Sequence, residues 1–360
     1  MCDLAAGFTT VTGPAGEVEG ILGAWGQQIR PPFEGISDPE FRTLGSYNAQ
    51  YNDSRCPAVL MIQHDPLLGS LVADRVDSAI RRYRPNADVV TEPGYYLEPV
   101  GVTRATSGGG GGSVSVSLAN LNRLIVTPPT LPGPGGHSVA VIDTGDANAS
   151  ATVTDFTQST DPQQVPPVDV NGHGSAIAEM IRAHNPAATV ESLRVCTTGM
   201  AASVELFLAL TYALWPQGRF DVVNVSMTTQ LVGKCETQLG KTIAAIADWC
   251  KSQGGGLGPQ LVTAVGNLPQ KFGYPAAIDG AVIVEALDWS GSVASYNTAA
   301  PAGLSTSRAS GGENAPGQTL GSVTVDGITT DLVGASFAAA LVSAELARYC
   351  IYCRPGVDGR

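Results

Sequence analysis

The sequence predicts an α/β chain in which a domain built on a mostly parallel sheet follows a smaller α+β region. Three observations carry this reading. From residue 138 onward, short apolar runs alternate with helical patterns of about ten residues or more; strands that are apolar throughout belong to parallel sheets covered on both faces. Ahead of residue 128, an apolar strand, an amphipathic helix and weaker extended stretches make a unit with its own modest core. Between the two, the Pro- and Gly-rich run from Thr127 to Gly136 breaks regular structure. The chain therefore divides into an N-terminal α+β region (1–127), a linker (128–136) and a larger α/β domain (137–360).

Taken in order, residues 1 to 50 are rich in Gly, Pro and polar residues, and their weak periodicity predicts only loops and short strands. Residues 58–62 form an apolar strand, and Val72, Val76, Ala79, Ile80 and Tyr83 line one face of a helix that ends before Pro85. Residues 87–91 and 95–97 return as strands. Five consecutive glycines, Gly108 to Gly112, demand a flexible stretch, and 118–125 is a short helical segment. In the larger domain the predicted strands are 138–142, 189–195, 221–225, 260–265 and 281–284. The predicted helices are 173–183, 203–215, 236–253 and 336–349.

Composition excludes several function classes. With 20 Lys and Arg against 32 Asp and Glu, the formal charge is −12, which argues against a phosphate-binding surface for nucleic acid. The local cluster Arg81, Arg82 and Arg84 is the solvated face of the amphipathic helix. No run reaches the roughly 18 apolar residues of a membrane span, and the opening residues lack a basic n-region with a long apolar core, so a cytoplasmic protein with no membrane partner is expected. Seven scattered cysteines, an odd number, point to reduced thiols, and the single Cys350-x-x-Cys353 pair lacks the second pair a zinc site needs. No metal site is expected.

In a parallel sheet, functional groups collect beyond the carboxyl ends of the strands. Asp143 directly follows the apolar run Val139 to Ile142, and Asn267 closes the run Leu261 to Gly266. His173 opens a predicted helix within Asn171-Gly172-His173-Gly174-Ser175, a setting that His64, His137 and His184 lack. Ser336 opens another, within Gly334-Ala335-Ser336-Phe337-Ala338-Ala339-Ala340. Each residue taken alone reads equally as a turn residue, a helix-terminal histidine or an ordinary serine cap. Together they supply a nucleophile (Ser336), a base (His173), a carboxylate to orient the base (Asp143) and an oxyanion donor (Asn267), the set that acyl transfer requires.

These motifs, in this order, resemble the subtilisin-like (subtilase) serine peptidase family over residues 138 to 350: Val-Ile-Asp-Thr-Gly at Asp143, Asn-Gly-His-Gly-Ser at His173, Ala-Val-Gly-Asn at Asn267 and Gly-Ala-Ser-Phe-Ala-Ala at Ser336. Leu193-Arg194-Val195, Val223 to Met227, Tyr274-Pro275-Ala276 and Asn314 to Gly317 match further family segments. The chain departs from the family at Ala335 (usually Thr), Phe337 (usually Met), Ala340 (usually Pro) and Thr228 (often Gly). None of these changes removes a catalytic atom; Thr228 bears on substrate selection.

The resemblance implies a three-layer subtilisin-like domain and a serine endopeptidase working through an acyl-enzyme on peptide or protein substrates. It assigns Ser226, Met227 and Thr228 to one edge of the primary pocket, Ala264, Val265 and Gly266 to the other, and Gly273 to its base, which leaves room for an apolar side chain. The chemistry requires no cofactor. The family often binds structural calcium, but no carboxylate-rich loop here is assignable to it. Residues 1–127 are then either a removable inhibitory pro-region or a permanent domain that binds a regulator or target. The same motifs also fit a peptide-binding pseudoenzyme or a peptide ligase or cyclase, whereas the absence of a G-x-S-x-G elbow disfavours an esterase of another α/β fold.

Overall fold

The computed structural model describes residues 7–32, 34–43, 57–68, 70–94, 96–99, 113–127, 138–157, 169, 171–196, 200–214, 220–228, 259–268, 272, 275–276, 278, 280–302, 305–313 and 318–349. The run Phe8-Thr-Thr-Val-Thr, rich in β-branched residues, forms β1 (Phe8–Pro14), and α1 (Ala15–Ala24) starts directly after Pro14. β2 (Glu40–Thr43), β3 (Pro57–Gln63), α2 (Ser70–Tyr83) and β4 (Val90–Pro93) complete an antiparallel sheet of order β2-β3-β1-β4. Of the loops and short strands expected before residue 50, two strands are present, and the helix α1 is a correction to that expectation. The apolar stripe of α1 is Ala15, Val18, Ile21 and Ala24, with Gly16, Gly20 and Gly23 between, and poor helix formers at that density mask the period.

The small sheet uses both faces because strand side chains alternate. Val11, Ala58, Leu60 and Ile62 pack with Val18, Ile21, Val76 and Ile80 of α1 and α2. Phe8, Val59 and Met61 point the other way and join a core that also contains Val204, Phe207 and Leu208.

The larger domain carries an eight-stranded sheet. In chain order its neighbours are β5 (Tyr96–Pro99), β6 (Val114–Leu118) and β7 (Val126–Thr127), followed by β8 (Ser138–Asp143) and β9 (Thr152–Asp155). Next come α3 (His173–His184), β10 (Thr189–Arg194), β11 (Ala201–Ala202), α4 (Ser203–Leu214), β12 (Val222–Val225), β13 (Met227–Thr228), β14 (Gln260–Ala264) and β15 (Val282–Leu287). β16 (Thr306–Ser310), β17 (Gly321–Val325), β18 (Ile328–Asp331) and α5 (Ala335–Tyr349) end the described chain. The large sheet runs β7-β16-β15-β14-β12-β8-β10-β9, with every pair parallel except β7 with β16. Val139 and Val141 of β8 face the core shared with α3 and α5, and Ala140 and Ile142 face the one shared with α4. The three layers follow directly from this alternation, and each buried Val or Ile contributes about 1.5–3 kcal/mol relative to exposure.

Two segments cross from the first part of the chain into the second. β5 lies between β11 and β13 in a sheet of order β11-β5-β13, and β6 pairs with β17 in a sheet of order β18-β17-β6. With β7 on β16, residues 114–127 are bound into the larger domain, so the small unit ends upstream of the proline break that marked it in sequence. The helix expected over 118–125 is corrected to a single 3-10 turn, Leu121–Arg123, because the strand on its N-terminal side is held by β17 and Asn120 adopts φ 59°. The predicted helix at 236–253, the run Gly108 to Gly112, the linker 128–136 and the Cys350/Cys353 pair lie outside the described residues. Cys196 is buried and is not part of a disulfide among the described residues.

Candidate active site

β8 is an interior strand, so its final residue, Asp143, emerges at the carboxyl end of the sheet with no exposed surface. Its Oδ1 accepts a hydrogen bond from the Thr144 N–H at 2.8 Å and faces His173 Nδ1, also at 2.8 Å. An ionised carboxylate only accepts, so the imidazole proton belongs on Nδ1, and Nε2 is the nitrogen that can take a proton.

His173 is the first residue of α3 and is fully buried. The turn before it is built on Asp169, whose Oδ1 accepts from the Asn171 and Gly172 N–H groups (2.9 and 2.8 Å) and whose Oδ2 accepts from the Ser175 N–H and hydroxyl (2.8 and 2.7 Å). One buried carboxylate thereby satisfies three backbone donors at the start of the helix. Gly174 lets the histidine helix meet the aspartate loop: its N–H donates to Thr144 Oγ1 at 2.9 Å, and a Cβ there would stand 2.3 Å from the Gly145 carbonyl oxygen. Ser175 Oγ also accepts from the Ala147 N–H at 3.0 Å. The base and its carboxylate are therefore fixed relative to each other by backbone as well as by their own bond.

Ser336 is the second residue of α5 and has no exposed surface. Its Oγ donates to the Ser226 carbonyl at 3.4 Å. Behind it a buried network runs from the Ser226 hydroxyl to Asn224 Oδ1 (2.9 Å) and from Asn224 Nδ2 to Ser343 Oγ (2.9 Å), which ties β12 to α5. The ring of Phe337 lies 5.7 Å from that of His173, centroid to centroid, so α3 and α5 meet next to the reactive groups.

Asn267 follows β14 and Gly266, whose φ of 110° turns the chain. Its Oδ1 accepts from the Ala335 N–H at 2.9 Å, at the first residue of α5. With the oxygen engaged, the amide presents its N–H₂ group as donor, in the half-buried position where Asn267 sits. Ser226 and Met227 are buried and Thr228 is half-buried along β13, and Ala264, Val265 and Gly266 are buried at the end of β14. Gly273 lies outside the described residues. Sequence reading missed Asp169, Thr144 and Thr298, the last of which clasps the Asn267 loop through the Leu268 backbone. Of these, only Asp169 had a local signal, an Asx-type turn two residues before Asn-Gly-His. Among the described residues no three His, Cys, Asp or Glu side chains gather as metal ligands, and no helix is long and apolar enough to cross a membrane.

Where the small sheet meets α4, Glu205 lies in the first helical turn. Burial pushes its carboxyl up to about 7, offset in part by the Glu205 and Ala202 backbone N–H groups and by Arg42 of β2.

The model of the subtilase family matches residues 134–350. The chain belongs to the subtilase family. The matched segment contains all four residues of the site and leaves the small sheet outside. As a member of a serine peptidase family, this subtilase is a hydrolase of peptide or protein substrates. Among solved structures, it is similar to the nisin leader peptidase NisP from Lactococcus lactis, with 16% identity and TM-score 0.46 over 61% of this chain and 78% of that one. It is also similar to a lanthipeptide protease, with 19% identity and TM-score 0.47 over 61% of this chain and 75% of that one. No match was found among curated proteins.

Proposed function

We propose that this subtilase is a serine endopeptidase that works through an Asp143–His173–Ser336 triad and an acyl-enzyme. The observation that carries this reading is the 2.8 Å hydrogen bond between buried Asp143 and His173 at the start of α3, beside the helix whose first turn contains Ser336. His173 Nε2 takes the Ser336 proton as Oγ attacks a peptide carbonyl, while Asp143 stabilises the imidazolium. Asn267 Nδ2 and the Ser336 N–H hold the tetrahedral oxygen. The imidazolium then protonates the leaving amine; water, deprotonated by His173, attacks the ester and regenerates Ser336. The side chain before the scissile bond is apolar, in keeping with the glycine assigned to the pocket base; a strict preference for basic residues in a peptide library would contradict this.

The small N-terminal domain acts on the cleft in cis. Pro99 pairs with Met227 and Glu98 with Thr228, so β5 runs antiparallel along the strand assigned to substrate. Ala201 and Ala202 pair with Leu97 and Tyr96 on its other side. The β13 edge assigned to substrate is thus taken by the chain's own β5, which supports an inhibitory pro-region over a recognition domain remote from the site.

Intact-protein mass spectrometry of wild type and Ser336→Ala, followed over time with a fluorophosphonate probe, tests both readings. A single adduct on wild type and none on S336A is expected, appearing only as fragments cut after the β5 region accumulate. A folded wild type that takes no probe even after an added protease has cut it beyond β5 would rule out the peptidase; immediate stoichiometric labelling of the uncut chain would rule out the cis-inhibitory role.

A further inference from the structure

The Asn267 loop is clasped from outside its own strand by one residue. Thr298 donates its backbone N–H to the Gly266 carbonyl at 3.0 Å, and its hydroxyl donates to the Leu268 carbonyl at 2.7 Å while accepting from the Leu268 N–H at 3.2 Å. Gly266 and Leu268 are the two neighbours of Asn267, so the residue between them is held on both sides. Thr298 is 1% exposed. The residue before it is anchored in turn: Asn297 Nδ2 donates to the Ala286 carbonyl at 2.7 Å and its Oδ1 accepts from the Ala286 N–H at 3.1 Å, as a neighbouring strand would do for β15. The rigid parallel sheet thus reaches the loop through Asn297 and Thr298, while Ala335 fixes the Asn267 side chain from α5.

We propose that Thr298 is a positioning residue for the oxyanion donor, which it sets relative to Ser336 through both amide neighbours of Asn267. The inference rests on the assignment of Asn267 as that donor. A hydroxyl is needed because it donates and accepts at once, and a β-carbon branch packs it in one orientation. Preorganised donors are effective only where the developing charge appears, and a misplacement of about 1 Å can cost about 10²-fold in rate.

Valine matches threonine in shape and keeps the backbone bond to Gly266, but it can make neither of the hydroxyl's two bonds to Leu268, whereas serine can make both. Leu268 is 45% exposed, so water can satisfy its backbone groups in Thr298→Val, and what is lost is position rather than fold. Steady-state hydrolysis of a peptide p-nitroanilide with phenylalanine before the anilide is measured for wild type, T298V, T298S, N267A and the T298V/N267A double variant, each first cut beyond β5 to the same extent by an added protease. The expected result is a kcat lowered about 10- to 100-fold in T298V with KM changed less than about threefold, and T298S within about threefold of wild type. In the N267A background T298V adds less than about twofold, because the group it positions is gone. If T298V does not fold, Thr298→Ala carries the same comparison. Wild-type activity with an unaltered T298V, or a T298V loss that persists undiminished on N267A, overturns the inference alone. A wild type that neither hydrolyses the anilide nor takes a fluorophosphonate overturns the peptidase reading and the inference with it.

Discussion

His184 Nε2 and Glu345 Oε1 lie 2.6 Å apart and join the C-terminal turns of α3 and α5, whose opposite ends carry His173 and Ser336. Glu345 also takes Arg348 at 3.2 Å, and the Arg348 guanidinium donates to the His184 carbonyl. Slippage of one helix along the other is resisted at this end and felt by the chemistry at the other. Glu345→Ala is expected to lower stability by about 1–3 kcal/mol in urea denaturation and to slow fluorophosphonate labelling of Ser336. A stability loss that leaves labelling untouched would show that the two ends are uncoupled.

Asn267 has one observed duty, as acceptor for the Ala335 N–H, and one proposed duty, as oxyanion donor, and substitution can separate them. Asn267→Asp keeps an acceptor for the Ala335 N–H but loses the donor and adds negative charge where the oxyanion forms. Its kcat should fall by about 10²–10³-fold or more with little change in KM, and further than that of Asn267→Ala. Equal kcat for N267D and wild type would remove Asn267 from the oxyanion site.

Asp169 should prove as sensitive as a catalytic residue although it touches no reacting atom. Asp169→Ala strands the N–H groups of Asn171, Gly172 and Ser175 at the start of α3, at an expected cost of about 2–4 kcal/mol. Asp169→Asn, which still accepts the first two bonds, should lie between. Thermal unfolding of the three proteins gives the order directly; a wild-type melting temperature for D169A would contradict the account of the turn.

Glu205 makes stability pH-dependent in a defined window. Its carboxyl is raised to about 7 by burial where the small sheet meets α4, so the folded chain holds a proton that the unfolded chain releases. The folded state is favoured at low pH, loses that advantage as pH rises from the ordinary carboxylate range to about 7, and changes no further above it, by about 3 kcal/mol in all. Glu205→Gln should flatten the pH profile across this window and be the more stable protein at pH 8. Arg42, paired with Glu40 at 2.6 Å, moderates the effect only partly. Parallel profiles for wild type and E205Q would exclude this assignment.

The four candidate site residues stand out in the sequence because each adjoins an unambiguous pattern, an apolar strand ending at Asp143 or near Asn267, a helix opening at His173 or Ser336. Five strands of the large sheet, β8, β10, β12, β14 and β15, were legible for the same reason, whereas β7, β9 and β16 are too short or too polar to form an apolar run. What escaped depends on contacts distant in sequence. Thr298 sits in an irregular segment, and only folding brings it to Leu268. β5 carries no mark of its partners, and its pairing with β13 spans the whole of β8 to β12. α1 was hidden by its own glycines, and its helix is sustained by the cover it gives Val11 and Leu60 rather than by propensity.

The sheet of order β11-β5-β13 defines what may stand where β5 stands. The space between its outer strands is one chain wide, and its walls are the amides and carbonyls of β11 and β13, which β5 pairs on both sides at once. A helix is too thick for it, and a strand still belonging to another sheet has one edge already engaged. A polypeptide therefore enters only after surrendering its own structure over several residues. On the proposed assignment of β13 to substrate, the cleft would examine whether a segment is folded before any pocket examined its side chains, and well-packed proteins would be protected from it by their stability alone.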